Sequence, residues 1–325
     1  MTKKKPHLKV DADLNGLFNR EGNTTPRSAE SSPTVKQALR TVTRQMEATG
    51  LRPRTISDYV THVNHFTEVT GVTYITDIDA DSIYVWLSSM DVSNQTKLTR
   101  LKCLKAFLGR CMDNGWLTAN FWRSINVKVD APVKQGATEA EVMALLSVLD
   151  LTDFVQLRDA VSVLLMYRTG LRVGTLAKLE NRHVDLDERM LKIDGSLLKN
   201  HSQIYLPFGD DLTRLLTVLL RQNDMIRRAN NVDNGYVFIT KFGGRIASSQ
   251  THNNIQKRLN KYARQYGFKN ISPHALRRGF AKSLLDKGAD VAVISKALGH
   301  SSLDVTTRYL HLDKHEVADS LRKYL

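Results

Sequence analysis

The chain has 325 residues and a formal net charge of +14, because 47 lysine and arginine side chains outnumber 33 aspartate and glutamate side chains. It is long enough for two domains with a core each, and no apolar run approaches the ~20 residues that a membrane-spanning helix needs. The basic excess is spread along the chain, with 18 basic and 13 acidic residues in 1–130 and 29 and 20 in 131–325. This balance indicates either a polyanionic partner held from two sides or an ordinary solvated basic surface.

Residues 1–33 lack a sustained helical period and end in a polar stretch, so we expect a mobile tail there. No apolar stretch follows the lysines at its start, and no signal peptide is predicted. Cys103 and Cys111 lie eight residues apart in a helical segment, ~12 Å along its axis and too far for a disulfide. We therefore expect a cytoplasmic protein with reduced thiols.

Residues 34–125 show the helical period of buried apolar residues and predict a four-helix domain. The predicted helices are one from Val35 to Gly50, one opening with the capping box Thr55-Ile56-Ser57-Asp58, one through Ile83, Trp86 and Leu87, and one from the N-cap Ser93 to Gly115. The last of them has a basic face, which we interpret as a DNA contact or as a plain solvated face. That face consists of Lys97, Arg100, Lys102, Lys105 and Arg110.

Asn126 to Gly136 has no helical stripe and contains Pro132, so it predicts an interdomain linker with Gly136 as its hinge. The domain predicted from residue 137 to 325 opens with a helix whose apolar positions begin at Val142. Its further predicted elements are a largely apolar helix from Leu157 to Tyr167, strands at Met190–Asp194 and Gln203–Phe208, a short apolar run from Tyr236 to Ile239, and helices elsewhere.

A second basic face lies near the end of this domain. Arg258, Lys261 and Arg264 are three residues apart and fall on one side of a predicted helix. We interpret them as groove or phosphate contacts, and the plain alternative is again a solvated face.

Between Thr169 and Tyr309 the chain carries, in fixed order, the residue types that phosphoryl transfer through a tyrosine requires. A planar guanidinium group can bind two phosphate oxygens at once, and a lysine can protonate a leaving oxygen. Histidines can relay protons, and a tyrosine can act as the nucleophile. The residues are Arg172 in Thr169-Gly170-Leu171-Arg172, Lys199, His274 and Arg277 in His274-Ala275-Leu276-Arg277-Arg278, His300 in Leu298-Gly299-His300, and Tyr309.

This ordered set resembles the tyrosine recombinase (phage integrase) family. Residues 137–325 look like its catalytic domain, and residues 34–125 look like its helical, SAM-like core-binding domain. The resemblance implies a mainly α fold with a small β-sheet, forming a C-shaped clamp on double-stranded DNA. It implies neither a metal nor another cofactor. By resemblance, Arg172 and Arg277 would hold the phosphate, Lys199 would be the general acid, His274 the base or proton relay, His300 a phosphate hydrogen-bond donor, and Tyr309 the nucleophile that forms a 3′-phosphotyrosine.

Three of these assignments have plain alternatives. Tyr309 could be an amphipathic core residue beside Leu310, and His300 could cap a helix. Lys199 lies in a Leu-Lys-Asn turn where the family usually has Gly-Lys-Gly, so a solvated turn lysine is an alternative, and Lys192 lies on the neighbouring strand.

Thr175 departs from the family pattern, because the position three after the first arginine is normally glutamate or aspartate. A buried carboxylate there would hold the active-site arginine and histidine by charge-assisted hydrogen bonds. Threonine keeps a hydroxyl but loses the charge and the reach. We therefore expect slower chemistry, which depends on ångström-level positioning, but undiminished phosphate contacts.

Two classes of function follow. One is a DNA-binding regulator, such as a phage or prophage repressor, in which recombination is weakened or lost. The other is an active site-specific recombinase. In length, basicity and its altered arginine motif the chain is similar to the integrase-fold repressors of SPβ-type Bacillus prophages, which favours the regulator and a place at the bacterial nucleoid. The segment His315–Leu325 predicts a helix that docks on a neighbouring subunit or on its own domain, with Val317, Leu321 and Tyr324 as its apolar face.

Overall fold

The computed structural model describes residues 32–130, 134–198, 202–247, 253–299 and 303–310, except for the side chains of Asp304, Val305, Arg308 and Tyr309. Nearly all of the predicted tail and all of the predicted C-terminal helix lie outside these residues. The chain divides into two compact units, Met1–Ala131 and Pro132–Leu325. Within the described ranges, no helix has the length and apolar character to cross a membrane.

The described part of the first unit, residues 32–130, contains the four α-helices that the sequence predicted, around one core. Phe66, Trp86 and Phe107 are fully buried in it, with the Phe66 and Trp86 rings edge to face at a centroid distance of 5.6 Å. The N-cap at Ser93 is confirmed, since its hydroxyl accepts a hydrogen bond from the Thr96 amide. The helices are α1 Val35–Ala48, α2 Pro53–Thr70, α3 Ala80–Ser88 and α4 Asn94–Asp113.

Helix α2 begins two residues before the predicted capping box. Pro53 occupies its first turn, where the missing N–H of proline is not needed and its fixed φ suits a helix. The Thr55 amide donates to the Arg52 carbonyl, so Thr55 already lies inside the helix. The capping box was therefore the wrong start signal, and proline was the right one.

The second unit is built around α6, whose residues from Leu157 to Tyr167 are all buried. Helices α5, α8, α9 and α10 pack against it, which confirms the predicted central helix. The helices of this unit are α5 Glu139–Ser147, α6 Phe154–Thr169, α7 Val173–Leu176, α8 Asp210–Asn230, α9 Asn254–Tyr266, α10 Pro273–Asp286, α11 Val291–Leu298 and α12 Leu303–Leu310.

A three-stranded antiparallel sheet of order β1-β2-β3 covers one side of this core. The strands are β1 Val184–Asp185, β2 Met190–Ile193 and β3 Ile204–Pro207. Leu191 pairs with Leu206 and Ile193 with Ile204, which places apolar residues on the core side. Both predicted strands are confirmed, whereas β1 is too short to show a two-residue period. The run Tyr236–Ile239 forms isolated bridges, not a strand.

Gly136, predicted as a hinge, lies against the backbone of α10. A Cβ atom at Gly136 would be 2.6 Å from the Gly279 amide nitrogen, closer than side chains approach. The next residue is held too, because the Ala137 amide donates to the Ala275 carbonyl at 2.9 Å. The glycine therefore allows a close backbone contact within the second unit, and this role replaces the hinge interpretation.

Candidate functional site

The first arginine of the site follows a sharp turn at the end of α6. Gly170 has φ +66°, and a Cβ there would lie 2.3 Å from the Phe280 ring. Backbone conformation and packing both require glycine at this position. The turn brings Arg172 to the start of α7, where its Nη1 donates to the Leu298 carbonyl at 3.4 Å.

The second arginine, Arg277 on α10, is buried with 3% of its surface exposed. Its guanidinium donates to the Gly170 carbonyl and to the Leu298 carbonyl. Arg172 and Arg277 therefore meet at one acceptor, at the end of α11. Guanidinium groups are suited to binding anions such as phosphate diesters, so this pair is the candidate phosphate site.

His274 lies in the first turn of α10, which Ser272 caps by accepting from the Ala275 amide. Its ring reaches solvent, but partial burial lowers its pKa, and four cations lower it further. Those cations are Arg278, Arg277, Lys134 and Arg172, in order of effect. His274 is therefore neutral at neutral pH, the form that can accept a proton.

Two cations near His274 had no assigned role in the sequence. Arg278 donates two hydrogen bonds to the Gln135 carbonyl, which ties the segment before α5 to α10. Lys134 lies on the same segment and contributes to the field at His274. The pair of adjacent arginines in the His274 motif could have indicated Arg278, but nothing in the local sequence indicates Lys134.

Thr175 is buried, with 6% of its surface exposed. Its hydroxyl donates to the Leu197 carbonyl at 3.4 Å, in the connection between β2 and β3. The side chain thus links α7 to the strand connection that precedes Lys199.

Three predicted catalytic side chains lie outside the described part of the chain. Lys199 and His300 lie outside the described residues, and Tyr309 lies on α12, which packs against α10 and α11, without a described side chain. Lys192, the alternative to Lys199, forms ion pairs with Asp185 at 2.9 Å and Glu188 at 2.7 Å, and these carboxylates raise its pKa. A lysine held in this way is a poor proton donor. In the described ranges, no cluster of three histidine, cysteine or acidic side chains could hold a metal ion.

The basic face of α9 separates into two roles. Arg258 donates to the buried carboxylate of Asp159 at 2.7 Å and lies over the Tyr262 ring. This structural role replaces the groove contact that the sequence suggested for Arg258. Lys261 and Arg264 are exposed and line a shallow surface groove together with Lys257, so they remain candidates for DNA contact.

The basic face of α4 is also divided. Lys105 donates to the Arg123 carbonyl at 3.1 Å, and burial lowers its pKa. Arg100 is half-buried and donates to the Met90 sulfur at 3.5 Å. Lys102 is exposed, whereas Lys97 and Arg110 are half-buried.

The chain is similar in sequence to known protein families and proteins. The profile of the phage integrase family matches residues 137–316. The chain is 31% identical to the tyrosine recombinase XerC of Thermodesulfovibrio yellowstonii over 228 residues, which cover 69% of this chain and 73% of the relative. XerC of Serratia marcescens is 26% identical over 299 residues, which cover 91% and 95%.

Solved structures are similar in fold. The Tn1549 transposon integrase in complex with a circular intermediate DNA has a TM-score of 0.72 at 15% identity, covering 90% of this chain and 100% of that one. The XerH site-specific recombinase bound to a palindromic difH substrate has a TM-score of 0.67 at 20% identity, covering 89% and 84%. At these identities the likeness concerns the fold alone.

Proposed function

This chain belongs to the phage integrase family, and from that premise we propose that it is a sequence-specific double-stranded DNA-binding protein that acts as a phage or prophage regulator. In this proposal it represses transcription, and recombination is weakened or lost. One observation carries the proposal: Arg172 and Arg277 meet at the Leu298 carbonyl, while a buried threonine occupies position 175.

The grip on DNA needs only part of a recombinase site. A phosphate diester bound at Arg172 and Arg277 would gain charge-assisted hydrogen bonds, and Lys134 and Arg278 add positive charge beside His274. Such contacts fix the protein on the duplex without any bond being broken. Affinity for DNA can therefore be retained when strand cleavage is slow or lost.

Position 175 bears on the chemistry. The family's usual carboxylate at this position would hold an arginine and a histidine in place, whereas the Thr175 hydroxyl donates to the Leu197 carbonyl instead. An uncharged, short side chain gives weaker orientation, and strand transfer depends on orientation within ångströms. The loss falls on rate more than on binding.

An active site-specific recombinase that works through a 3′-phosphotyrosine is the second candidate. The match to the XerC of Serratia marcescens over 91% of this chain favours it. So does the proximity of Arg172, His274 and Arg277, which retain the family's residue types.

We further propose that copies contact one another on DNA. The acceptor for this contact would be an apolar groove between edge strand β3 and helices α10 and α11, with Lys296 beside it. Its proposed occupant is the segment His315–Leu325 of a neighbouring copy, which carries Val317, Leu321 and Tyr324 as its apolar residues. The groove is lined by Ile204, Leu206, Phe280, Leu284, Val293 and Ala297.

Truncation after Asp313 tests the contact between copies. We expect it to abolish cooperative binding to duplexes with adjacent sites and to leave affinity for one site unchanged. Unchanged cooperativity would refute the contact.

The test of the regulator begins with selection of a binding site from random duplexes. A reporter promoter carrying that site is then repressed by the wild-type protein or by Tyr309→Phe. We expect nearly equal repression, because the contacts that provide affinity do not involve the tyrosine hydroxyl. Recombination between two such sites by the wild type that is lost in Tyr309→Phe would establish the second candidate instead.

A further inference from the structure

A buried carboxylate lies behind the basic face of α9. Asp159 on α6 is 1% exposed and accepts hydrogen bonds from three side chains. Arg158 and Arg258 each approach it at 2.7 Å, and the Tyr262 hydroxyl donates to it at 2.9 Å. Two of these three donors belong to α9, so α9 is attached to the centre of the core by directional polar bonds.

The same network reaches the apolar run that precedes α9. Arg158 Nη1 donates to the Ile239 carbonyl at 3.1 Å. From the other side, Asn223 on α8 donates to the Val237 carbonyl at 2.8 Å. The run is therefore fixed to both α6 and α8, and Asp159 connects this frame to α9.

The chemistry of the network favours an orienting role. A buried ion pair adds little net stability over apolar residues of the same size, because desolvation offsets the Coulomb attraction. Burial raises the pKa of Tyr262, and the negative charge of Asp159 raises it further. The Tyr262 hydroxyl therefore stays protonated and able to donate a hydrogen bond. Apolar contacts by Ile255 and Leu259 hold α9 on the core, but they are not directional. The bonds to one carboxylate are directional and add a fixed orientation of the helix about its axis.

Rotation would matter at the opposite face of the helix. Lys257, Lys261 and Arg264 lie there in solvent, on the side away from Tyr262. A turn of about 20° moves a side chain on the helix surface by roughly 2 Å. Direct hydrogen bonds to base edges tolerate only a few tenths of an ångström.

We propose that Asp159 is a positioning residue for DNA sequence selection, acting through Arg258 and Tyr262 on the base-reading face of α9. The inference rests on the proposed function, because it requires that α9 faces a DNA groove. Asp159 touches no DNA in this account. Its effect falls on which sequence is bound and not on how strongly phosphates are held.

The test measures affinity for the selected site and for duplexes with single base-pair changes across it. The variants are Asp159→Asn, which removes the charge, and Tyr262→Phe, which removes one donor and keeps the ring. Val161→Ala on α6 is the matched control, because it creates a cavity in the same helix and lowers stability without touching the carboxylate. Lys261→Ala and Arg264→Ala identify the base pairs that α9 reads.

We expect Asp159→Asn to reduce discrimination at those base pairs about tenfold, with Tyr262→Phe giving a smaller loss in the same positions. The dependence of affinity on salt should be unchanged in both, and Val161→Ala should keep wild-type discrimination. If Lys261→Ala and Arg264→Ala change discrimination while Asp159→Asn and Tyr262→Phe do not, the positioning role is wrong. If Lys261→Ala and Arg264→Ala leave discrimination unchanged, α9 reads no bases and this inference fails, whereas the proposed function fails only if the protein selects no preferred site from random duplexes. Should Asp159→Asn fail to fold, Tyr262→Phe alone decides.

Discussion

Helices α10 and α9 both carry arginines that the sequence predicts to contact DNA, but these arginines have different surroundings in the structure. On α10, Arg277 is buried and bonded to backbone carbonyls at the point where Arg172 also arrives. On α9, Arg258 is held by a buried carboxylate, whereas Lys261 and Arg264 face solvent. On α10 the cationic group is fixed by backbone carbonyls, whereas on α9 two cationic side chains are exposed on a helix that Asp159 orients.

This difference predicts two kinds of variant. Groups fixed near Leu298 suit phosphate binding, which every duplex offers, so their loss should weaken binding to all sequences alike. Exposed side chains on α9 suit the choice among sequences, so their loss should change preference more than affinity. The predictions below test whether the two helices divide the work in this way.

Arg277→Ala should have the largest effect. It removes a guanidinium from the proposed phosphate site and leaves the carbonyls of Gly170 and Leu298 without that donor. We expect affinity for any duplex to fall by about 2–3 kcal/mol, on the order of 100-fold, with no change in preference. Fluorescence anisotropy with the selected and a scrambled duplex measures both, and Arg277→Lys separates the lost fork from the lost charge. A loss confined to the selected duplex would contradict the division.

Gly136→Glu should come next. The new Cβ would lie 2.6 Å from the Gly279 amide nitrogen, so the segment from Lys134 must move away from the first turns of α10. We expect DNA affinity to fall about tenfold, with a stability loss of about 1–3 kcal/mol from overpacking. Gly235→Glu is the control, since a Cβ there meets no atom within 4 Å. Retained binding by Gly136→Glu at unchanged melting temperature would refute the close contact.

Salt dependence should separate the two helices further. With several cations on phosphates, the slope of log affinity against log salt should be about −4 or steeper for the wild type. Arg277→Ala, which removes a proposed phosphate contact, should make it less negative by about 1, whereas Lys261→Ala should change it less because this lysine is expected to contact bases. Titrations at a series of potassium chloride concentrations give the slope. A flat slope for the wild type would refute phosphate binding by either helix.

The pH dependence of DNA affinity should come from His274 on α10 and not from α9, and it should be the smallest of the four effects. In the free protein burial and neighbouring cations hold the pKa of His274 below its usual value, so the ring is neutral at neutral pH. A bound phosphate favours the charged ring and raises that pKa, so the protein–DNA complex takes up a proton as the pH falls through the raised pKa. We expect affinity to rise severalfold between pH 7.5 and 5.5 in the wild type and to stay level in His274→Asn. Equal pH profiles would exclude His274 from the phosphate site.

The sequence predicted those features whose signal is local. Four helices of the first unit, the buried helix α6 and the strands β2 and β3 follow from apolar periods that are long enough to recognise. The two-residue strand β1 carries no period, and its pairing with Leu191 and Met190 is visible only in the structure. The N-cap Ser93 was recognised, whereas Pro53 was overlooked in favour of a weaker start signal.

The other misreadings concern partners that are distant in sequence. Arg258 and Lys261 share a helical face in the sequence, yet Asp159, 99 residues away, holds Arg258. Gly136 lies in a segment with the composition of a linker, and Gly279, which it contacts, is 143 residues away in the sequence. Helical spacing gives the direction of a side chain but not what it meets there. The ordered set of Arg172, His274 and Arg277 was predictable because a motif encodes chemistry independently of such contacts.

The most direct test of the account measures covalent chemistry at Tyr309. The purified protein is incubated with a nicked duplex that carries its selected site, and a protein–DNA adduct that resists denaturation is quantified. The account predicts little or no adduct from the wild type, as from Tyr309→Phe, and no full recovery in Thr175→Glu, even though the wild type and Tyr309→Phe bind the duplex with similar affinity. A robust adduct that forms with the wild type and disappears in Tyr309→Phe would contradict it and identify the protein as an active recombinase.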